Sequence, residues 1–498
     1  MTREAPPRAD APTSPAHESR GLALLAAGRP GVERTLEKIA SRQQASVRLH
    51  ARALRSVSAL PAQLPYAAPL LPLCVRDAQG SRIVDADGHE YVDCHMTYTA
   101  GFLGHNPPPV VDAVRRSLKR SPGAGHLFEE QIELAELVQR MVPGLERVAF
   151  LHSGADAVAA AVRMARATTR RPLVAKFEGC YHGWSELGLH NTMLILAGRP
   201  PTDPLDRIEP RAATGGVDAA SQAGLLVLPY NSSVALKLVE NHAHELACVL
   251  ADPCPPFMAA HAQATQTFIH ELRDVTARAG VPLVLDEVMT GFRLARGGAQ
   301  EAFAVTADVA AYSKVTCGLG IPLSIVGGRA AQLDSARTDG LFADYRAGKA
   351  WTTTTHAAGH PAVTASLAAL RLLEADFEAI SGVVDRGHAR LSAGIERVAR
   401  ETGIAVAVSG HPRLASYLVL GELRDAGPDY RAAMAGADLD QLRAMLLLTL
   451  YLRLEGVYAK TAPTVNLSWA HSDDDVDVVI EAVRRSLLRM VRDGALPS

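Results

Sequence analysis

The chain has few cysteines for its length, and they are far apart. Six cysteines are spread over 498 residues, and no two of them form a Cys-x-x-Cys pair. Proteins that depend on disulfide bonds are usually short and place their cysteines densely. The pattern therefore indicates reduced thiols and predicts a cytoplasmic protein.

The sequence also lacks long apolar runs and a large excess of charge. No run reaches the ~18 apolar residues that a membrane helix requires. Residues 1–20 are rich in Pro, Ala and charge, without the apolar core of a secretory signal. The net charge is −2, with acidic and basic residues mixed along the chain, so no basic surface for nucleic acid is indicated. We expect no membrane or nucleic-acid partner, and a disordered lead over residues 1–20.

What is present is the composition of a globular enzyme, with 48% hydrophobic and 21% charged residues. Short apolar runs bounded by polar residues alternate with helical stretches after Gly104. These candidate strands are residues 148–151, 173–176, 225–228, 248–251 and 282–285. Such alternation predicts an α/β fold with a mostly parallel sheet covered on both faces.

The two ends of the chain differ from this central part in their predicted secondary structure. Residues 81–93 read as two short strands around an Asp87–Gly88 turn, which is a hairpin signal. From about Arg346 onward, long helices dominate. We expect a disordered lead (1–20), an N-terminal helix and hairpin that packs with the small domain (21–100), a large domain (101–345) and a C-terminal small domain (346–498).

Three segments carry candidate chemical groups. Asp286 ends an apolar run, where ligands collect in open α/β sheets, although it could equally cap the next turn. Lys314 also follows an apolar run; single lysines are usually solvated, but a desolvated one is a nucleophilic amine that forms Schiff bases with aldehydes. Ser153 opens an Ala-rich helix, and the N–H groups there suit a phosphate, although an ordinary N-cap has the same pattern.

An acid, an amine and a phosphate cradle together are what pyridoxal 5′-phosphate (PLP) requires. The acid pairs with the pyridine nitrogen, the amine holds the aldehyde carbon, and the helix end binds the phosphate. A nicotinamide site is not indicated, because the Gly318–Gly320 cluster lacks the third glycine of that fingerprint. We therefore predict PLP as the cofactor and no metal site.

Four segments, in the same order, resemble the class III aminotransferases, and within them the glutamate-1-semialdehyde 2,1-aminomutase group. They are residues 85–93, 103–107, 176–183 and 286–293, and Lys314 stands at the expected place. The resemblance covers about residues 80–485. It implies PLP fold type I, with a mostly parallel seven-stranded sheet in a large domain, a smaller α+β domain, and a homodimer with shared active sites.

The resemblance also implies roles for single residues. Lys314 would hold PLP as a Schiff base, and Asp286 would pair with the pyridine nitrogen. Tyr181 and Val288 would pack on the two ring faces, although a single tyrosine is more often a packed core residue. Lys314, Asp286 and Tyr181 are the expected catalytic residues. The expected cofactor-binding residues are Ser153, Gly154, Ala155, Tyr181, His182, Asp286, Val288, Lys314 and a threonine of the partner subunit, Thr355 or Thr354.

The chain departs from the family at places that bear on the substrate. Ala155 stands where the family has a threonine, and His360 replaces the asparagine before a proline. The aminomutase's C-terminal glutamate has no counterpart between residues 457 and 468. Thr97 and Tyr98 replace a serine and a tryptophan at the family's substrate entrance, so we expect them to contact substrate, with packing as the alternative.

Three functions compete. The first is an aminotransferase that moves an amino group from an amine donor to a ketone or aldehyde acceptor, with the departures favouring a specialised amine such as an amino sugar. The second is a PLP-dependent isomerase, either an aminomutase or an amine epimerase, which needs a single substrate. The third is a catalytically silent binding subunit, which the presence of both Lys314 and Asp286 disfavours.

Overall fold

The computed structural model describes residues 28–58, 73–123, 125–192, 202–337, 348–421, 431, 439–459 and 463–496. The expected disordered lead, residues 1–20, lies outside these ranges, as does the expected domain boundary between residues 345 and 346. Among the helices that the structure describes, none is both long enough and apolar enough to cross a bilayer.

The described strands form three sheets, with four, seven and two strands. In chain order the strands are β1 (Val75–Gln79), β2 (Arg82–Asp85), β3 (Glu90–Asp93), β4 (Arg147–Leu151), β5 (Leu173–Phe177), β6 (Leu225–Leu228), β7 (Leu246–Ala251), β8 (Leu283–Asp286), β9 (Val309–Tyr312), β10 (Ser324–Gly328), β11 (Val406–Gly410), β12 (Ser416–Leu420) and β13 (Val457–Tyr458).

The described helices surround these sheets. They are α1 (Pro30–Arg42), α2 (Gln44–Ala53), α3 (Pro108–Leu118), α4 (Glu129–Met141), α5 (Gly154–Thr169), α6 (Ser233–Asn241), α7 (Ala262–Ala279), α8 (Gly298–Ala302), α9 (Ala330–Leu333), α10 (His360–Thr402), α11 (Leu439–Leu454) and α12 (Asp473–Asp493). Helix α10 is kinked at Asp376, whose backbone angles are not helical. Single turns of 3-10 helix also occur, and one of them is Lys314–Cys317.

The seven-stranded sheet has the order β4-β10-β9-β8-β7-β5-β6. Strands β6, β5, β7, β8 and β9 pair in parallel, whereas β10 is antiparallel to both β9 and β4. The predicted α/β class with a mostly parallel seven-stranded sheet is therefore confirmed. Because parallel strands end on the same edge, loops that follow β5 to β9 meet at one edge of the sheet.

Both faces of this sheet are buried, as expected for parallel strands. Successive residues of β8 face opposite sides: Val284 packs in the cluster under α5, and Leu283 and Leu285 pack in the larger core on the other face. Helix α5 lies flat on the sheet because its buried side is almost entirely alanine and valine. Its N-terminus is thereby held at the carboxyl edge.

The N-terminal hairpin joins the C-terminal part of the chain. Strands β2 and β3 pair antiparallel around the predicted Asp-Gly turn, and β13 pairs in parallel with β3. Asp475, in the first turn of α12, accepts hydrogen bonds from Ser81 (2.9 Å) and Arg82 (2.6 Å) of the hairpin. The segment that carries Thr97 and Tyr98, which directly follows β3, is thus fixed by contacts from the far end of the chain.

Candidate active site

Three chemical groups follow neighbouring strands at the carboxyl edge of the large sheet. Lys314 follows β9, Asp286 ends β8, and Asp252 follows β7. Asp286 pairs with Ala311 of β9, three residues before the lysine. Since neighbouring strands lie about 4.8 Å apart, these side chains come together at one edge.

Asp286 is oriented by two hydrogen bonds. Its Oδ2 accepts from Nδ1 of His182 at 2.7 Å, and its Oδ1 accepts from the backbone N–H of Val288 at 3.1 Å. Burial lowers the pKa of His182, while the bond to Asp286 opposes that shift. Nε2 of His182 is buried and has no hydrogen-bond partner among the described residues. The histidine is therefore a fixed support for the carboxylate, and its lowered pKa favours the neutral ring.

Lys314 is a desolvated amine. Burial lowers its pKa to about 8, with Asp252 and Asp286 acting in the opposite direction and Arg293 adding to the decrease. The backbone at Lys314 has a φ of 54°, in the left-handed region that non-glycine residues rarely occupy, and such residues often cluster at functional sites. A lysine that loses its proton near pH 8 is a ready nucleophile.

Asp252 was not predicted, although it lies beside this pair. It is 7% exposed, and its Oδ1 accepts from the backbone N–H of Cys254 at 3.0 Å. Burial, together with the charge of Asp286, raises its pKa well above the usual range. It follows the apolar run 248–251 just as Asp286 follows 282–285, so the strand-end pattern used for Asp286 could have identified it.

Ser153 is the N-cap of α5 and forms a capping box with Asp156. Its Oγ accepts from the N–H of Asp156 at 3.2 Å, and Oδ2 of Asp156 accepts from the hydroxyl of Ser153 at 2.7 Å and from its N–H at 3.1 Å. The hydroxyl is thus already engaged by the helix. The first-turn N–H groups of Gly154 and Ala155, which have no acceptor within the helix, are the donors available to an anion.

Close backbone contacts join this helix end to the other loops of the site. A Cβ on Gly154 would lie 2.9 and 3.0 Å from the two methyl groups of Val288 and 3.4 Å from Cβ of Ser313. A Cβ on Gly183 would lie 2.4 Å from Cβ of Ala155. The helix end, the turn before Lys314, and the loop with Tyr181 and His182 therefore form a single site.

Tyr181 is not a packed core aromatic, because it is 52% exposed. Its partial burial and the nearby charge of Asp286 raise the pKa of its phenol. A tyrosine held beside the carboxylate with an open ring is what a flat heterocycle could stack against. Together with the amine, the acid and the free N–H groups, it completes a set of residues that fits PLP.

Thr97 and Tyr98 lie in a strained segment. Met96, Thr97, Tyr98 and Thr99 have φ values of 44°, 51°, 55° and 72°, all left-handed. Thr97 is exposed, whereas the ring of Tyr98 is edge-on to that of His95, with centroids 4.2 Å apart. Arg293 donates a hydrogen bond to the carbonyl of Thr99, the residue after Tyr98.

The threonine segment lies near the helix end within one chain. Oγ1 of Thr354 is 3.2 Å from Nδ1 of His152, the residue before Ser153, and Thr355 is exposed. His152 was missed by the sequence analysis, because only the fold brings it together with a residue two hundred positions away.

The chain matches the family model described as aminotransferase class III over residues 65–411. A glutamate-1-semialdehyde 2,1-aminomutase from Akkermansia muciniphila is 32% identical over 425 residues, which cover 84% of this chain and 92% of that protein. Among solved structures, an omega-transaminase from Sphaerobacter thermophilus is 30% identical with a TM-score of 0.76, covering 89% of this chain and 97% of its own. A β-phenylalanine aminotransferase from Variovorax paradoxus is 26% identical with a TM-score of 0.73, covering 95% and 98%.

Proposed function

The chain belongs to the class III aminotransferase family and is a PLP-dependent enzyme, and we propose that it transfers an amino group between an amine donor and a ketone or aldehyde acceptor. The observation that carries this proposal is the convergence of Lys314 and Asp286 from adjacent strand ends. Similarity to a transaminase over nearly the whole length of both chains supports transfer between two substrates.

The residues of the site suit the parts of the cofactor. When bound, PLP supplies an aldehyde carbon conjugated to an electron-accepting ring. Lys314 would hold that carbon through its amine, and Asp286 would keep the ring nitrogen protonated. The N–H groups of Gly154 and Ala155 would bind the phosphate, with the positive end of the α5 dipole behind them.

The side chains around the ring have separate tasks. Tyr181 and Val288 would cover the two ring faces and exclude water. Nζ of Lys314, with its pKa near 8, can both take a proton from the donor carbon and return it. Burial and the charge of Asp286 raise the pKa of Asp252, which disfavours a second negative charge beside Asp286.

We further propose a homodimer with shared active sites. Trp184 and Trp351 are 73% and 54% exposed. Trp184 follows Gly183, and Trp351 lies three residues before Thr354, which contacts His152 beside the helix end. Exposed aromatic groups next to an active site are suited to burial against a second copy. Thr355, exposed in the single chain, is the candidate for the phosphate contact across that interface.

The second candidate is a PLP-dependent isomerase, either an aminomutase or an amine epimerase. It is favoured by the glutamate-1-semialdehyde 2,1-aminomutase relatives, which are 32% identical to this chain. The absence of the aminomutase's glutamate between residues 457 and 468 weighs against glutamate 1-semialdehyde as substrate. The altered phosphate loop, with Ala155 in place of threonine, and His360 favour a specialised amine, with an amino sugar as the first candidate.

A donor–acceptor panel on PLP-loaded enzyme tests the proposal. Alanine, glutamate, β-phenylalanine, 1-phenylethylamine and glucosamine would serve as donors, and pyruvate and 2-oxoglutarate as acceptors, with the cofactor spectrum as readout. An aminotransferase changes spectrum with donor alone and recovers it only with acceptor. An isomerase converts one amine without acceptor and incorporates solvent deuterium. If no donor alters the spectrum beyond a Lys314→Ala control, the proposal is wrong.

A further inference from the structure

Arg293 is a buried cation whose bonds go to backbone carbonyls. It is 1% exposed, and it forms no ion pair with a carboxylate in the part of the chain that the structure describes. Its Nε donates to the carbonyl of Arg413 at 2.7 Å, and its two terminal nitrogens donate to the carbonyls of Thr99 and Leu414. The guanidinium also lies 4.6 Å from the ring centroid of Phe102.

A charge in this position is costly, and burial lowers the pKa of Arg293 to about 9. Neutral side chains could satisfy one or two carbonyls. Only a guanidinium offers five donors in a rigid plane, so it can hold carbonyls on opposite sides at once. The geometry therefore has the form of a clamp between two segments.

One clamped segment, residues 96–99, is strained. Four consecutive left-handed residues are unfavourable for L-amino acids, and Thr97 and Thr99 are β-branched, which makes the conformation costlier. Two local hydrogen bonds help, from the N–H of Gly101 to Met96 (3.1 Å) and from that of Ala100 to Thr97 (3.2 Å). Strained backbone of this kind persists only when its surroundings hold it.

The other clamped segment is the turn between β11 and β12. Its Arg413 returns a bond to the carbonyl of Leu294 at 3.0 Å and pairs with Asp385 of α10 at 2.6 Å. Arg293 thus holds the carbonyls of Arg413 and Leu414, and Arg413 in turn holds the carbonyl of Leu294, the residue after Arg293. This reciprocal pair fixes the guanidinium of Arg293 from the C-terminal part of the chain.

Arg293 also lies close to the reactive groups. Phe292, the residue before Arg293, packs against Tyr312, two residues before Lys314, with ring centroids 5.3 Å apart. The charge of Arg293 also contributes to the lowered pKa of the Lys314 amine. The strained segment is therefore held beside the site, and it carries Thr97 and Tyr98.

We propose that Arg293 is a positioning residue for the substrate: it clamps residues 96–99 to the β11–β12 turn, so that Thr97 and Tyr98 border the space beside Nζ of Lys314 into which the substrate amine enters. This inference rests on the proposed function only in taking the molecule that binds beside Lys314 to be a substrate amine. The clamp itself makes a separate prediction about backbone order.

Backbone order is tested by hydrogen–deuterium exchange on PLP-loaded Arg293→Lys, which keeps the charge but cannot hold three diverging carbonyls. We expect peptides covering residues 94–102 and the β11–β12 turn to exchange at least about tenfold faster, with the rest of the chain unchanged. The matched control is Arg171→Lys, because Arg171 holds the carbonyls of Ala243 and Leu246 (2.9 and 3.3 Å) at the opposite edge of the sheet. Unchanged exchange in 94–102, or an increase throughout the chain, overturns the clamp.

Substrate positioning is tested by the half-reaction with the fastest donor of the panel. In Arg293→Lys we expect the half-saturating donor concentration to rise about tenfold. The limiting rate and the PLP affinity should stay within about threefold of the wild-type values. The rise should vanish in a Tyr98→Ala background, because interacting residues are not additive. The positioning role is overturned if the half-saturating donor concentration of Arg293→Lys equals that of the wild type. It is also overturned if the rise is as large in the Tyr98→Ala background as in the wild-type background.

The two measurements separate two kinds of failure. If no donor reacts, the proposed function fails while the exchange experiment still decides the clamp. Should Arg293→Lys not fold, Arg293→Met carries the exchange experiment, with Arg171→Met as its control. Because Met removes the charge that acts on Lys314, the half-saturating donor concentration of this variant is measured above the pH midpoint of its own Lys314 amine.

Discussion

Among the residues that the structure describes, Lys176 and Lys314 both have desolvated amines, but these amines have different surroundings. Burial lowers the pKa of both Lys176 and Lys314 to about 8. Nζ of Lys176 donates to the carbonyls of Cys180 and His190 and is thereby committed to holding its loop. Lys314 instead lies within reach of carboxylate charges at the carboxyl edge. A lowered pKa alone therefore does not identify the nucleophile; its neighbours do.

The rate at which cofactor-free enzyme takes up PLP should rise with pH through about 8. The neutral amine is the reacting form, so a lysine with a lowered pKa becomes competent at lower pH than an ordinary one. Because the charge of Arg293 contributes to the decrease, Arg293→Met should move the midpoint to higher pH. Stopped-flow absorbance measures this rate, and a wild-type midpoint near the ordinary lysine pKa of 10.5 would contradict the assignment.

Asp286→Asn should lower the half-reaction rate by at least about 100-fold, which corresponds to about 2.7 kcal/mol. The amide cannot keep a pyridine nitrogen protonated, whereas the phosphate contacts and Lys314 still bind PLP. Asp252→Asn is the matched comparison, since burial and the charge of Asp286 raise the pKa of Asp252 and so favour its neutral form, which an amide resembles. We expect a much smaller loss there, and equal losses in the two variants would refute the different roles.

At the scale of elements, the site depends on two backbones that touch. Gly183→Ala would add a methyl 2.4 Å from Cβ of Ala155, at a φ of 92°, and so push the Tyr181–His182 loop away from the α5 N-terminus. We expect PLP affinity to fall by at least about tenfold, or 1.4 kcal/mol. Equilibrium titration of cofactor-free enzyme with PLP measures this change.

Gly280→Ala is the control for Gly183→Ala. It also introduces a side chain at a positive φ, 62°, but no atom lies within 4 Å of its Cβ, and it ends α7 away from the site. It should cost about 1–2 kcal/mol of stability and leave PLP affinity unchanged. A similar loss of affinity in both variants would show that the effect is general destabilisation.

The sequence predicts elements where composition is decisive. Residues 225–228 and 248–251 are apolar enough to be read as strands, and β6 matches its predicted range while β7 extends further. Strand β9 (Val309–Tyr312) contains two alanines, and β10 ends in two glycines, so neither has a strand-like composition and neither was predicted individually. Arg293 could not be assigned either, because its acceptors are backbone carbonyls that only the tertiary fold brings together.

At the scale of the whole molecule, the threonine that completes the phosphate site can come from the same chain or from the partner subunit. Within one chain Thr354 contacts His152, whereas the family resemblance implies a partner's threonine. We predict a dimer in which two inactive variants complement each other when mixed: Lys314→Ala, and the double variant Thr354→Val, Thr355→Val. One site of each mixed dimer is then intact, because the subunit that keeps Lys314 receives its threonine from the Lys314→Ala subunit. About a quarter of wild-type sites should be restored at limiting PLP. No recovery in a confirmed mixed dimer would place the threonine in its own chain's site.

The most direct test of the whole account is to find which lysine holds the cofactor. PLP-loaded enzyme would be reduced with borohydride, which fixes the imine as a stable bond, then digested and examined by mass spectrometry. The account predicts a phosphopyridoxyl group on the peptide that contains Lys314 and none on the peptide that contains Lys176, the other lysine whose pKa is lowered to about 8. A label on Lys176, or no label on Lys314, would contradict it.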